Sequence, residues 1–325
     1  MSIPLAAVEF EIGPLTLPRN LPENGPMVSV LISCNQRSEP FLTWCLRSVL
    51  AQSYRDLEIV VVDDCPVEHH IAVDDSRVTV ERATTPLGDR GAFLRAYELS
   101  TGPLVKPLLA ADRLHPTAIG KLVAALHSDP ANILATSKRV HVDQDGVILP
   151  DTPETVPIEV VDVLLRGTRV GNNLITGMLN TIGEPSTLLW QRDDMPPDSE
   201  LFVIGGKSPE GHLAEMWVLK LLARGKIAYL VEPLAQVRRR QPQLRLDEIV
   251  SYLALIDGSK QLGYLSDLAL ERDALCNLLR YTLADPALIG AGGHMQIDKL
   301  VDIQKSTVNR IGDLIDTIFE SAGRH

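Results

Sequence analysis

The residues most able to do chemistry sit at the ends of apolar runs. Residues 57–62 (LEIVVV) close on Asp63 and Asp64, residues 28–32 (VSVLI) close on Ser33, Cys34 and Asn35, and residues 104–109 lead to Asp112. Each run is short and rich in Val, Ile and Leu, the composition of a strand buried on both faces. In a sheet of parallel strands, ligands bind beyond the carboxyl ends, so these polar residues mark where a site belongs. An acid buried without a partner is costly, and two in a row at a strand end therefore favour a ligand. The competing role is a helix N-cap or an Asx turn. Two other groupings carry less. His69-His70 with Asp74-Asp75 has the residue types of a metal site, but after a strand it reads as a solvated loop. Cys34, Cys45, Cys65 and Cys276 show no C-x-x-C spacing and no metal-ligand cluster, and free thiols in a reducing cytoplasm fit them best.

The elements that position these residues alternate. Strands are expected at 28–32, 57–62, 77–81 and 104–109, and helices at 40–53, 89–100 and 116–127. That alternation implies β-α-β units and a doubly wound, mostly parallel α/β sheet. Further strands are expected at 133–141 and 226–231, with helices at 158–167 and 209–225. From 247 onward the pattern is helical, at 247–262, 266–284 and 296–322, with a break at Gly290, Gly292 and Gly293. The expected organisation is an extended, Pro-rich arm at 1–26, one domain at 27–243 with halves 27–128 and 129–243, and a helical C-terminal appendage at 244–325. That appendage could pack on the domain or form a homodimer.

Composition narrows the function. The chain of 325 residues has 31 basic and 42 acidic residues and a net charge of −11. This argues against a nucleic-acid partner and against docking on anionic lipid, which both need a basic face. No apolar stretch is long enough to span a membrane, and the first residues lack the pattern of a signal peptide. A cytoplasmic location is the expectation.

Three segments in order, 28–37 (VSVLISCNQR), 46–54 (LRSVLAQSY) and 57–64 (LEIVVVDD), resemble the opening of family 2 glycosyltransferases with the GT-A fold. Four later ones, 182–192 (IGEPSTLLWQR), 215–217 (EMW), 222–225 (LARG) and 228–234 (AYLVEPL), resemble the acceptor-side half of that family. The resemblance covers roughly 27–243. It implies a nucleoside-diphosphate sugar as donor, with Ser33, Asn35, Asp63 and Asp64 at the nucleotide and the segment 183–187, with Glu184, near the acceptor, where a structural turn reads equally well. It also implies that basic residues around Arg238 lie near the diphosphate, although an exposed basic turn at 238–240 reads equally well.

Three departures from the family pattern change the expectation. The family's metal-holding acids, Leu-Asp-x-Asp-Asp, correspond here to 107–116 (PLLAADRLHP), so that Leu109 and Ala111 stand where acids belong and Asp112 is the one remaining metal candidate. One carboxylate makes a poor site for the Mn²⁺ or Mg²⁺ usual in the family. Arg90, Arg95 or Arg113 could neutralise phosphate instead. The pocket-lining Ala-Arg-Asn-x-Gly corresponds to 92–96 (AFLRA), with Phe93 and Leu94 in polar positions. The acidic pair expected before the Trp of a later helix falls on His212 and Leu213. His212, Glu210 and Glu215 are therefore the candidates for the base that takes the acceptor's proton, with Glu215 also suited to a structural role. The resulting expectation is an inverting glycosyltransferase with little or no metal dependence and an unknown acceptor. The alternative is an inactive relative that binds a nucleotide sugar or a partner protein.

Overall fold

The computed structural model describes residues 13–66, 71, 73–209, 212–239, 246–284 and 294–322. These divide into two compact units. The first holds the described residues of Met1–Val170, Thr181–Asp194 and Arg224–Arg239; the second holds those of Gly171–Asn180, Met195–Ala223 and Arg240–His325.

The first unit is one mixed sheet of ten strands among the described residues. In chain order they are β1 (Gly13–Pro14), β2 (Val28–Cys34), β3 (Leu57–Asp63), β4 (Val78–Arg82), β5 (Leu104–Leu109), β6 (Arg113–Leu114), β7 (Asn132–Val142), β8 (Val163–Arg166), β9 (Leu189–Gln191) and β10 (Lys226–Arg238). The sheet order is β1-β8-β10-β7-β9-β5-β2-β3-β4, with β6 added along β10. The pairs β5-β2, β2-β3, β3-β4 and β7-β10 are parallel, and the rest are antiparallel. The sheet is thus less parallel than the alternating pattern implies, because β9 runs against both β5 and β7 and joins two parallel groups.

Helices α1 (Leu42–Leu50), α2 (Gly88–Leu99) and α3 (Ala118–Leu126) belong to the same unit. Their sequences explain their packing. In α1, Leu42, Cys45, Leu46 and Val49 recur at one-face helical spacing and are all buried. In α3, Ile119, Leu122, Val123 and Leu126 do the same. These faces join Val30, Ile32, Ile59, Val61 and Leu108 in one apolar core. Each large aliphatic side chain buried there is worth about 1.5–3 kcal/mol over exposure. A close approach precedes β5: a Cβ on Gly102 would meet Ser29 Oγ at 2.6 Å and Met27 O at 2.8 Å.

Two segments correct the sequence reading. The helix expected at 158–167 is instead strand β8 followed by α4 (Gly167–Gly177). The Val-Leu-Leu of β8 supplies β propensity, and pairing to β10 outweighs the weak helical spacing. Within the arm expected at 1–26, Gly13 and Pro14 add a short edge strand to β8, and Leu15 is buried.

The second unit holds α5 (Asp198–Leu201), α6 (Leu213–Leu222), α7 (Leu246–Ser259), α8 (Leu268–Ala284) and α9 (His294–Ala322). Tyr252 of α7 donates to the carbonyls of Leu174 and Ile175, at 3.0 and 2.6 Å. Buried Glu271 of α8 receives Arg310 of α9 at 3.0 Å and Lys260 at 2.5 Å. Among the described residues no helix is long and apolar enough to cross a membrane.

Candidate active site at the carboxyl edge of the sheet

The topology puts six strand ends on one edge. β9 is antiparallel to both β5 and β7, so these two run the same way; β10 follows β7, and β2, β3 and β4 follow β5. The carboxyl ends Arg82, Asp63, Cys34, Leu109, Val142 and Arg238 therefore share that edge. Ser33 lies in register between Val62 and Leu109.

At the β2-β3-β4 end, Asp63 is 2% exposed. Its Oδ2 receives Arg82 Nη1 at 3.1 Å, and its Oδ1 receives the Cys65 backbone N–H at 3.1 Å. Arg82 also donates to the Cys65 carbonyl at 3.2 Å. Cys34 Sγ lies 3.9 Å from Cys65 Sγ, and burial pushes the Cys34 thiol up to about 11. This corrects the reading that the cysteines form no cluster: Cys34, Cys65 and Asp63 hold ligand atoms within 4.8 Å of one another. Asp64 accepts the backbone N–H groups of Leu87 and Gly88, both at 2.8 Å, at the start of α2. Asn35 closes an Asx turn by accepting from the Arg37 and Ser38 N–H groups, and its amide donates to Asp89 at 3.2 Å.

At the β5-β10 end, Asp112 is also 2% exposed. Its Oδ2 accepts Ser186 Oγ at 2.5 Å and its Oδ1 accepts the Arg238 backbone N–H at 2.9 Å. Lys106, fully buried in the middle of β5, donates to the carbonyls of Pro107 (3.0 Å) and Ser186. Burial pulls its pKa down to about 7, against the opposing pull of Asp112. β6 pairs with β10 and sets Arg113 opposite Gln236. Two guanidiniums rest on aromatic rings here. Arg113 lies over Trp44 at 4.4 Å, and Arg238 lies over Phe41 at 3.8 Å. Arg238 is 4% exposed and donates to the Asp143 carbonyl, while its buried Nε has no hydrogen-bond partner among the described residues. Burial, then repulsion from Arg113, lowers its pKa in spite of Asp112, Asp143 and Asp145. The exposed-turn reading of Arg238 is excluded, because β10 runs to this residue.

Beside them, a 3₁₀ turn at Pro185–Thr187 carries Glu184 at its start. Gly183 takes φ +115°, and a Cβ there would meet Thr187 Oγ1 at 2.2 Å, so the approach requires glycine. Glu184 pairs with Arg139 at 2.6 Å and His141 at 3.3 Å. Burial opposes its ionisation, but His141 and then Arg139 hold its pKa below the usual value.

In the second unit, His212 precedes α6 with a left-handed φ of +55°, uncommon for a residue with a side chain. Its ring stands edge-on to Tyr252 at 5.2 Å, and Nδ1 lies 3.9 Å from Glu215 Oε2. Burial disfavours the imidazolium, yet Glu215 and Glu248 outweigh it and raise the pKa. Glu210 lies outside the described residues, as do His69 and His70. Asp75 pairs with Arg77 at 2.9 Å.

The edge thus gathers Ser33, Asn35, Asp63, Asp64, Asp112, Arg113, Glu184 and Arg238 within the first unit. Arg90 lies half-buried in the first turns of α2, and Arg95 pairs with Glu81 and Glu98. Sequence reasoning reached Ser186 only as part of the segment 183–187, and it missed Arg82, Lys106, Arg139, Phe41 and Trp44. Of these only Lys106 left a signal, as a charge inside an apolar strand.

Residues 29–174 match the family described as Glycosyl transferase family 2. That segment carries a family 2 glycosyltransferase domain. Two curated relatives align over part of this chain. The O-antigen biosynthesis protein RfbC of Myxococcus xanthus is 30% identical over 129 residues, 38% of this chain and 10% of the relative. The uncharacterized protein y4gI of Sinorhizobium fredii is 26% identical over 133 residues, 39% of this chain and 14% of the relative. The matches therefore span a small part of those proteins' lengths. Among solved structures, S. aureus TarS residues 1–349 in complex with UDP-GlcNAc superpose with a TM-score of 0.57 at 13% identity, over 88% of this chain and 81% of that one. The same TarS fragment with UDP gives 0.53 at 14% identity, over 91% and 92%. The likeness is one of fold.

Proposed function

We propose that this chain is a working, inverting glycosyltransferase that moves a hexose-type sugar from a nucleoside diphosphate to an acceptor hydroxyl, with arginines in place of the protein-held cation. The observation that carries this reading is the environment of Asp112. Asp112, which accepts from Ser186 Oγ and the Arg238 N–H, is the one side-chain carboxylate of the stretch 107–116. Leu109 and Ala111 offer no side-chain oxygen. This donor set does not fit a hard divalent cation, which takes several oxygen ligands. The charge that a cation would supply is present as Arg113 and Arg238, stacked at the same strand ends.

In this reading Asp63 and Ser33 meet the nucleoside, and the two arginines face the diphosphate. The acceptor oxygen attacks the anomeric carbon as its bond to the diphosphate breaks. The bonding electrons leave with the diphosphate, where fixed cations stabilise the developing charge. His212 takes the acceptor proton, with Glu215 beside it to stabilise the imidazolium. The TarS complexes make uridine diphosphate the first probe. A reducing, cytoplasmic setting suits the four free cysteines.

Calorimetric titration of the chelator-treated protein with uridine and guanosine diphosphates tests this, with and without Mg²⁺ or Mn²⁺. Affinity should be the same within about twofold in either condition. Strong metal dependence would overturn the arginine account. No nucleotide binding at all would favour the inactive, partner-binding relative.

A further inference from the structure

We propose that Cys34, Cys65 and Asp63 form a binding site for one thiophilic divalent cation, of the Zn²⁺ type, distinct in place and chemistry from the family's oxygen-ligated metal position. The fold makes the cluster. Cys34 ends β2 and stands in register opposite Asp63, which ends β3; Cys65 follows two residues on. All three are buried, at 1%, 2% and 7% exposure for Cys34, Asp63 and Cys65. The Asp64 N–H to Cys34 carbonyl bond (2.8 Å) and the Cys65 N–H to Asp63 Oδ1 bond (3.1 Å) fix the backbone that carries them.

Geometry and charge agree. Tetrahedral Zn²⁺ with Zn–S bonds of ~2.3 Å sets its sulfurs about 3.8 Å apart. The two sulfurs here are 3.9 Å apart, and the carboxylate lies within the same 4.8 Å cluster. Two thiolates and a carboxylate carry three negative charges; a divalent cation and Arg82, 3.1 Å from Asp63, balance them. Buried charge needs that balance. Thiolate ligands select soft or borderline ions over Mg²⁺ and Mn²⁺. Three protein ligands leave a fourth position for water or another small ligand, as in zinc sites that are not fully closed.

A consequence rests on the reading of Asp63 as a nucleotide contact. A cation on Asp63 takes the carboxylate from the nucleoside, so the two compete. Removing a charged hydrogen-bond partner should weaken nucleoside diphosphate binding about tenfold or more.

The test begins with Co²⁺ added to chelator-treated full-length protein. One Co²⁺ per chain should give thiolate-to-cobalt charge transfer and tetrahedral visible bands, and Zn²⁺ should displace it. Cys34→Ser and Cys65→Ser should each abolish the bands, while Cys45→Ser and Cys276→Ser keep them. Zinc-edge X-ray absorption on the wild type, which needs no variant to fold, should find two sulfur neighbours. Absent bands, bands that survive Cys34→Ser, or a zinc shell without sulfur would overturn the site. Nucleotide titration with and without Zn²⁺ is a separate readout. Intact cobalt bands with unchanged nucleotide affinity would keep the metal site and overturn the placing of Asp63 at the nucleoside.

Discussion

Ser186 donates its hydroxyl to Asp112 at 2.5 Å, and this bond ties the 3₁₀ turn before β9 to the loop after β5. Asp112 serves here as a junction. It receives the turn through Ser186 and the last residue of β10 through the Arg238 N–H. Lys106 completes the junction by donating to the Ser186 carbonyl. Ser186→Ala should therefore remove a hydrogen bond from a buried carboxylate and cost about 1–3 kcal/mol. Urea unfolding, with an unchanged m-value and a lower midpoint, checks this.

The stacked arginines make a sharper claim about ligand. Arg238→Met keeps the stem that packs on Phe41 but removes the charge. It should weaken nucleoside diphosphate binding about tenfold or more and leave binding of the free nucleoside unchanged. Parallel calorimetry with uridine and uridine diphosphate separates the two. Equal losses for both would refute a diphosphate role and indicate a collapsed pocket.

How much of this was legible in the sequence depends on the range of the interaction. The buried runs at 28–32, 57–62 and 104–109 declare themselves, because burial on both faces demands an unbroken apolar composition. Their carboxyl ends then mark where the candidate site is expected. The partners across the edge do not declare themselves. Asp63 and Arg82 meet because β3 and β4 pair in register, and Ser186 meets Asp112 across 74 positions. Cys34 and Cys65 show no metal spacing in sequence, since what joins them is sheet pairing rather than a local turn. Arg238 read equally well as an exposed turn because β10 buckles between Leu230 and Ala235, where its register with β7 shifts, and this interrupts the apolar pattern before the strand resumes.

His212 supplies a pH prediction. Its pKa is raised, burial opposing the shift and Glu215 and Glu248 driving it. A base must be neutral to accept a proton. Transfer should therefore fall as pH drops through a value above about 6.5, the ordinary imidazole pKa. Glu215→Gln removes the main stabiliser of the imidazolium and should move that limb to lower pH. The kcat/KM profile of wild type and variant reads this; a limb that does not move would exclude His212 as the titrating base. The left-handed backbone adds a control, because His212→Asn tolerates φ +55° better than His212→Ala. Both should lose transfer, but Asn should retain more stability.

Lys106 gives a stability profile whose sign can be worked out. An unfolded lysine holds its proton up to about pH 10.4, whereas the buried amine releases it near pH 7. Between these values the unfolded chain binds more protons, so stability rises with pH. In the metal-free protein Cys34 acts in the other direction. Its folded pKa of about 11 exceeds that of a free thiol, so above about pH 8.5 the folded state holds the extra proton and stability falls. Denaturant titrations should therefore show stability climbing from pH 7 to a maximum near the thiol value. Lys106→Met should flatten the climb and keep the decline. It also leaves the Ser186 and Pro107 carbonyls without their donor, so its stability at the maximum should lie below wild type. A climb that persists in Lys106→Met would assign the slope to another group and remove Lys106 from the junction.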